Sequence, residues 1–215
     1  MSETAASSEA AARAALIAAM AESCVERGYI DTTIEDLLAA TGLRRSDFDR
    51  HFAGKEACAV AAVDEALAAG LATVTAGFSG DRPEGESVLQ VLLGLLELFA
   101  ERPALGSLAM TDARQRLPRA AFERYAGGFA ILIATLDRLR ADGAPGAMAP
   151  PNAARGGIGG SEALIRRELA RGRAAELPRL LPDLIYSAAV PFLGQKEALR
   201  LSRQGAELLK GKRGE

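Results

Sequence analysis

The chain has 215 residues, 49% of them apolar, 25% charged and 5% aromatic, the composition of a globular protein with a sizeable core and not of a disordered or collagen-like chain. Its 26 basic and 28 acidic side chains leave a formal charge of -2, so no global positive field draws in nucleic acid or membrane, and any such partner must be read from local patches. Two cysteines, Cys24 and Cys58, and one histidine, His51, exclude a disulfide framework, a paired-cysteine zinc site and the two-histidine metalloprotease pattern; no metal and no cofactor is expected.

Glu3 and Glu9, ahead of the apolar run Ala14 to Ala21, do not fit a secretory signal. The apolar stretch Val88 to Ala100 is interrupted by Gln90, Gly94 and Glu97 and falls short of the roughly 20 residues a bilayer needs. A cytoplasmic protein with no membrane partner is therefore expected. Alanine, leucine, glutamate and arginine dominate and no segment alternates with period two, which predicts an all-α fold.

In chain order, Ser8 is placed to cap a first helix that carries Leu16, Ile17, Met20 and Val25 and ends at Gly28. Asp31 or Thr32 is placed to cap a second, short helix with Ile34, Leu37 and Leu38, ending at Ala40-Thr41-Gly42. A third short helix spans about Arg45 to Phe52, and Ala53-Gly54 breaks it. From Lys55 a fourth helix is striped by Cys58, Val63, Leu67, Leu71 and Val74. The loop composition of residues 79–85 then precedes helices over Ser87 to Glu101, Ala104 to Leu117, Arg119 to Ala141 and two or three more. Residues 142–151, rich in proline and glycine, read as a flexible connector. Gly156-Gly157-Ile158-Gly159-Gly160 reads as a loop by propensity, although Ile158, Ile165 and Leu169 keep helical spacing. The expected division is an N-terminal domain of residues 1–55 and a larger helical domain of residues 56–215, with residues 56–78 as the connecting helix.

Two short helices joined by a glycine-containing turn of three or four residues form a helix-turn-helix, whose second helix has the size to enter a major groove. Thr33 to Phe52 has this layout. At about 100° per residue Phe48 and Phe52 share the packing face, and Ser46 and Arg50 lie opposite. Arg44, Arg45, Arg50, Lys55 and His51 are then candidates for phosphates or base edges. The first 70 residues hold 6 basic and 12 acidic side chains, which opposes non-specific attraction to DNA. Between Leu43 and Lys55, however, 4 basic residues face only Asp47 and Asp49, so positive charge is concentrated where a groove-reading helix needs it.

Glu26-Arg27-Gly28-Tyr29, Thr32-Thr33-Ile34-Glu35-Asp36-Leu37, Ala40-Thr41-Gly42-Leu43 and Phe48-Asp49-Arg50-His51-Phe52-Ala53-Gly54-Lys55-Glu56-Ala57, in that order and spacing, resemble the TetR family of bacterial transcriptional regulators. Weaker similarity runs through Leu180 to Tyr186 and Val190 to Gly194. The resemblance implies a homodimer of helical subunits with an N-terminal DNA reader and a C-terminal domain for a small-molecule effector, and it makes a helix at residues 156–160 more plausible than propensity does. It implies phosphate contacts for Thr33 and Lys55, base contacts for Arg45, Ser46 and Asp47, and a backbone contact for His51. Two positions depart from it: the family commonly has Ser, as the helix cap, where Arg44 stands, and Tyr where Asp49 stands. An acidic side chain beside phosphates is repulsive, so the family's contact does not transfer to Asp49; acceptance of a hydrogen bond from cytosine N4 is an alternative.

Phe99, Met110, Phe122, Tyr125 and Phe129 fall on the central helices where the resemblance implies an effector pocket, and their soft or aromatic side chains suit an apolar ligand. Ile165, Leu169, Leu184, Tyr186 and Phe192 are candidates for a dimer interface, with intrachain core as the other possibility. The expected function is a ligand-responsive regulator, acting as a repressor, that binds a palindromic double-stranded DNA operator as a homodimer and is released by a small molecule. The alternatives are a dimeric adaptor without operator recognition, or a helical enzyme using the C-terminal cavity.

Overall fold

The computed structural model describes residues 2–110, 117–137 and 149–211. No strand occurs among them, and we number the described α-helices in chain order. They are α1 (Ser2–Arg27), α2 (Ile34–Thr41), α3 (Arg45–His51), α4 (Lys55–Gly77), α5 (Glu84–Glu101), α6 (Pro103–Met110), α7 (Arg119–Asp137), α8 (Ala153–Ala170) and α9 (Leu181–Gly211), the last preceded by a 3-10 segment, Ala174–Leu180. Residues 142–148 of the expected connector, and residues 111–116 of the expected helix to Leu117, lie outside the described residues; Leu117 itself is not helical.

The chain forms two compact units, one of Met1–Ala68 with Ala104–Gly127, the other of Ala69–Pro103 with Gly128–Glu215. The first unit therefore takes in more of the chain than the N-terminal domain expected at residues 1–55. Its core joins Leu16, Ile17, Met20 and Cys24 of α1 to Leu37 of α2, Phe48 of α3 and Cys58, Ala62 and Val63 of α4, and Leu108 and Ala121 close it from the later helices. This is what the three-to-four spacing of apolar residues in α1 and α4 dictates: each helix has one stripe to bury, and the short α2 and α3 are held by packing and not by their own propensity.

In the second unit, α5 packs against the 3-10 segment and α9, and α8 packs against both of these. Leu89, Leu96, Leu177, Leu181, Leu184, Ile185 and Leu201 are fully buried there. The glycines at residues 156–160 are helical, within α8. Propensity loses because Ala154, Ile158 and Ile165 line up on one buried apolar face, and their burial opposes the roughly 1 kcal/mol per residue that glycine forfeits relative to alanine. Among the described residues α4 is the helix whose length and composition would also allow a membrane crossing. It owes this to its alanines, and its Cys58, Ala59, Ala62, Val63 and Ala66 face the protein core.

Candidate nucleic-acid interface

α1 stops at Gly28, whose φ of 84° is left-handed and whose N–H donates to Cys24 O at 3.1 Å. The fully buried Thr32 then turns the chain, its hydroxyl donating to Gly28 O at 2.8 Å. The cap of α2 is Thr33, not Asp31 or Thr32. Asp36 N donates to Thr33 Oγ1 at 3.1 Å, and Thr33 N and its hydroxyl both donate to Asp36 Oδ2, at 2.8 and 2.7 Å. This reciprocal box satisfies donors that a helix start leaves open. Those bonds from Thr33, together with the Arg27 guanidinium 3.1 Å away, hold the Asp36 carboxyl below the usual carboxylate range. At the other end of α2, Gly42 takes φ 69° and donates to Leu38 O at 2.9 Å, a conformation a side chain would strain. This sharp turn lets α3 begin within three residues.

α3 begins at the position of Arg44, which has no lone pair to offer the helix start. Only half of a capping box remains: Arg44 N donates to Asp47 Oδ2 at 3.1 Å. The buried face of α3 is Phe48, wholly inaccessible, with Phe52 just beyond it and the two rings 5.6 Å apart. On the opposite side Arg44, Arg45, Ser46, Asp49 and Arg50 are exposed. His51 is half-buried, its ring 6.3 Å from that of Phe52.

The exposed cations are not equivalent. Arg50 has no partner among the described residues, and Arg44, 85% exposed, meets only Asp47 at 3.7 Å. Arg45, by contrast, donates from Nε to Asp49 Oδ1 at 2.9 Å and lies 3.7 Å from Glu35 Oε1 of α2. These contacts push its already high pKa further up, chiefly through the hydrogen bond to Asp49. Lys55 differs most from the sequence reading. Its Nζ donates to Tyr29 O, Ile30 O and Thr32 O at 2.9, 3.2 and 2.8 Å and sits 4.4 Å above the Tyr29 ring. All three ammonium donors are thereby spent on the turn between α1 and α2.

The two cysteines lie in the core of this unit. Burial pushes the Cys24 thiol up to about 11 and the Cys58 thiol up to about 12, so neither is a thiolate at neutral pH. Among the described residues no group of three His, Cys, Asp or Glu is arranged to hold a metal ion.

Of the candidate effector residues, Phe99 belongs to the second unit and is buried. Phe122 and Tyr125 belong to the first and are half-buried, Tyr125 packing against that unit's core. The side chains of Met110 and Phe129 lie outside the described residues. Of the candidate interface residues, Ile165, Leu184 and Phe192 are spent on the chain's own core, and Leu169 and Tyr186 keep partial exposure.

No model of a known protein family matches the chain. Over 100 residues it is 34% identical to the HTH-type transcriptional regulator TcmR of Streptomyces glaucescens, a stretch that is 45% of this chain and spans only 41% of that relative's length. The fold is similar to that of the fatty acid degradation regulator FadR from Bacillus halodurans, with a TM-score of 0.70, 13% identity, and coverage of 84% of this chain and 94% of that one. It is also similar to the TetR family protein CprB from S. coelicolor A3(2), with a TM-score of 0.64, 19% identity, and coverage of 93% and 98%.

Proposed function

From a fold similar to that of TetR-family regulators, we propose that the chain is a ligand-responsive repressor that binds a palindromic operator as a homodimer. In this reading α3 enters the major groove, Arg45 and Ser46 approach base edges, and Arg44, Arg50, His51 and the start of α2 at Thr33 contact phosphates. Asp47 caps α3 from within and lies near the bases. Lys55 acts through the turn it staples. The reader is residues 1–55, and residues 56–215 hold the effector and the dimer contact. Such a protein works in the cytoplasm, where its operator is. The observation that supports the reading best is the division of α3 itself, with Phe48 and Phe52 spent on the core and a polar, arginine-rich face left exposed.

Selection of operator sequences with purified protein, followed by gel shifts at two salt concentrations, tests it. An inverted-repeat site whose affinity falls with salt is the expected result, and binding no tighter than to random duplex counts against it. Arg45→Ala should lose about 1 to 3 kcal/mol of discrimination at one base pair. An adaptor without operator recognition would be indifferent to that change. Release by an effector requires that the molecule favour the non-binding form, and roughly 5.5 kcal/mol of differential affinity turns 99:1 occupancy into 1:99. A small molecule that raises the melting midpoint while weakening the gel shift is the expected finding.

A further inference from the structure

We propose that Asp49, with Glu35, is a specificity-determining positioning residue that holds the Arg45 guanidinium ready for one base and withholds it from general use on phosphates. This rests on the reading of α3 as a groove-entering helix and adds to it.

The contact is a directed one. Asp49 Oδ1 takes the Nε–H of Arg45 at 2.9 Å, and Glu35 reaches Nη1 from α2 at 3.7 Å. Nε is committed to Asp49 by a hydrogen bond, whereas Glu35 meets Nη1 only as a charge contact, so the outer pair of nitrogens keeps N–H donors that can be offered in parallel to a guanine edge. An unheld arginine would pair as readily with any passing phosphate oxygen.

Helix stability does not explain the arrangement. Arg45 is the first residue of α3, where the macrodipole disfavours a cation. In an i,i+4 pair the acidic partner belongs N-terminal to the basic one, and here the order is reversed. Both charges would serve α3 better exchanged.

The charge count points the same way. The exposed face of α3 carries three arginines (Arg44, Arg45, Arg50), and against them stand three carboxylates (Asp47, Asp49 and Glu35), so the sum is zero. Asp49 brings a repulsive charge towards every phosphate backbone alike, whereas the Arg45 contact is gained only at the matching base. A penalty common to all sequences and a gain confined to one raises the ratio between them.

The test uses the full chain and compares wild type, Asp49→Ala, Asp49→Asn, Glu35→Gln, Arg45→Ala and the Asp49→Ala/Arg45→Ala double variant, on the selected operator, on its single-base variants and on random duplex. Asp49→Ala should tighten random-duplex binding about tenfold, by loss of close like-charge repulsion, and steepen the log–log salt slope by about one. It should also weaken preference at the Arg45 base pair about tenfold. Asp49→Asn keeps an acceptor for Nε–H, so it should gain the random-duplex affinity and retain part of the preference. Glu35→Gln should follow Asp49→Ala with smaller effects. In the Arg45→Ala background the loss of preference should vanish, because a double-mutant cycle isolates the coupling. Asp49 is 54% exposed, and unchanged helical circular dichroism checks that the fold is kept. An unchanged operator-to-random ratio, additive effects in the cycle, or a lost preference at a cytosine independent of Arg45 overturns the inference while wild-type operator binding leaves the functional reading standing. A wild-type protein with no sequence preference overturns both.

Discussion

Lys55 is the residue where chemistry inferred from pattern and chemistry seen in place differ most. Its ammonium closes the turn between α1 and α2 by satisfying three carbonyls at once. Lys55→Met should therefore cost about 1 to 3 kcal/mol of stability, since the carbonyls lose a charged donor in a part-buried turn, and urea unfolding would measure it. A lysine that served only phosphates would leave the unfolding midpoint where it was and shift only DNA affinity. Asp49 teaches a related lesson. Its departure from the family pattern and its i,i+4 spacing from Arg45 are both legible in the sequence, but Glu35 joins the pair only because the turn at Gly42 folds α2 against the start of α3.

Glycines give the sharpest contrast at the scale of the element. Gly156, Gly159 and Gly160 lie within α8, and an added Cβ at each meets nothing within 4 Å. Alanine there should stabilise the helix by roughly 0.5 to 1 kcal/mol per site, seen as a higher melting midpoint. Gly194, which interrupts α9 with φ 76° and ψ 168°, should behave oppositely. Backbone in that region is reserved almost wholly for glycine, and Gly194→Ala should cost about 1 to 3 kcal/mol, seen as a lower midpoint. A composition count treats these positions alike; their dihedral angles give the same substitution opposite signs. α2 offers a third case. Thr33→Ala removes the side-chain half of its capping box and should cost about 0.5 to 2 kcal/mol.

For the whole molecule, charge sets the response to acid. Asp36, Glu168 and Glu197 are held below the usual carboxylate range, Asp36 by its bonds from Thr33, Glu168 first by its hydrogen bond from Arg173 and Glu197 first by that from Arg200. A carboxylate depressed in the folded state contributes stability that is complete above its ordinary pKa and is lost as pH falls through the depressed value. The melting midpoint should accordingly be flat from neutral pH down to about 5 and fall below about 4. Glu168 is the group to test. It is buried at the end of α8 among Arg167, Arg171 and Arg173, and Arg173 Nε donates to it at 2.6 Å. Glu168→Gln should lower the midpoint at neutral pH and flatten its fall in acid. A titration of melting temperature that leaves wild type and variant parallel would rule this out.

The residues by themselves determined the helical class, the two short helices with their turn at Gly42, and the split of α3 into an aromatic packing face and an arginine-bearing one, because helical period and glycine chemistry are local. The tertiary structure alone decided that Lys55 spends its donors on a turn, that Arg45 is held from two helices, that glycines 156–160 stay helical, and that Ile165, Leu184 and Phe192 fill the chain's own core. Each of these depends on which surface or carbonyl another part of the chain brings near, and the free energy of that meeting exceeds the local preference it overrides.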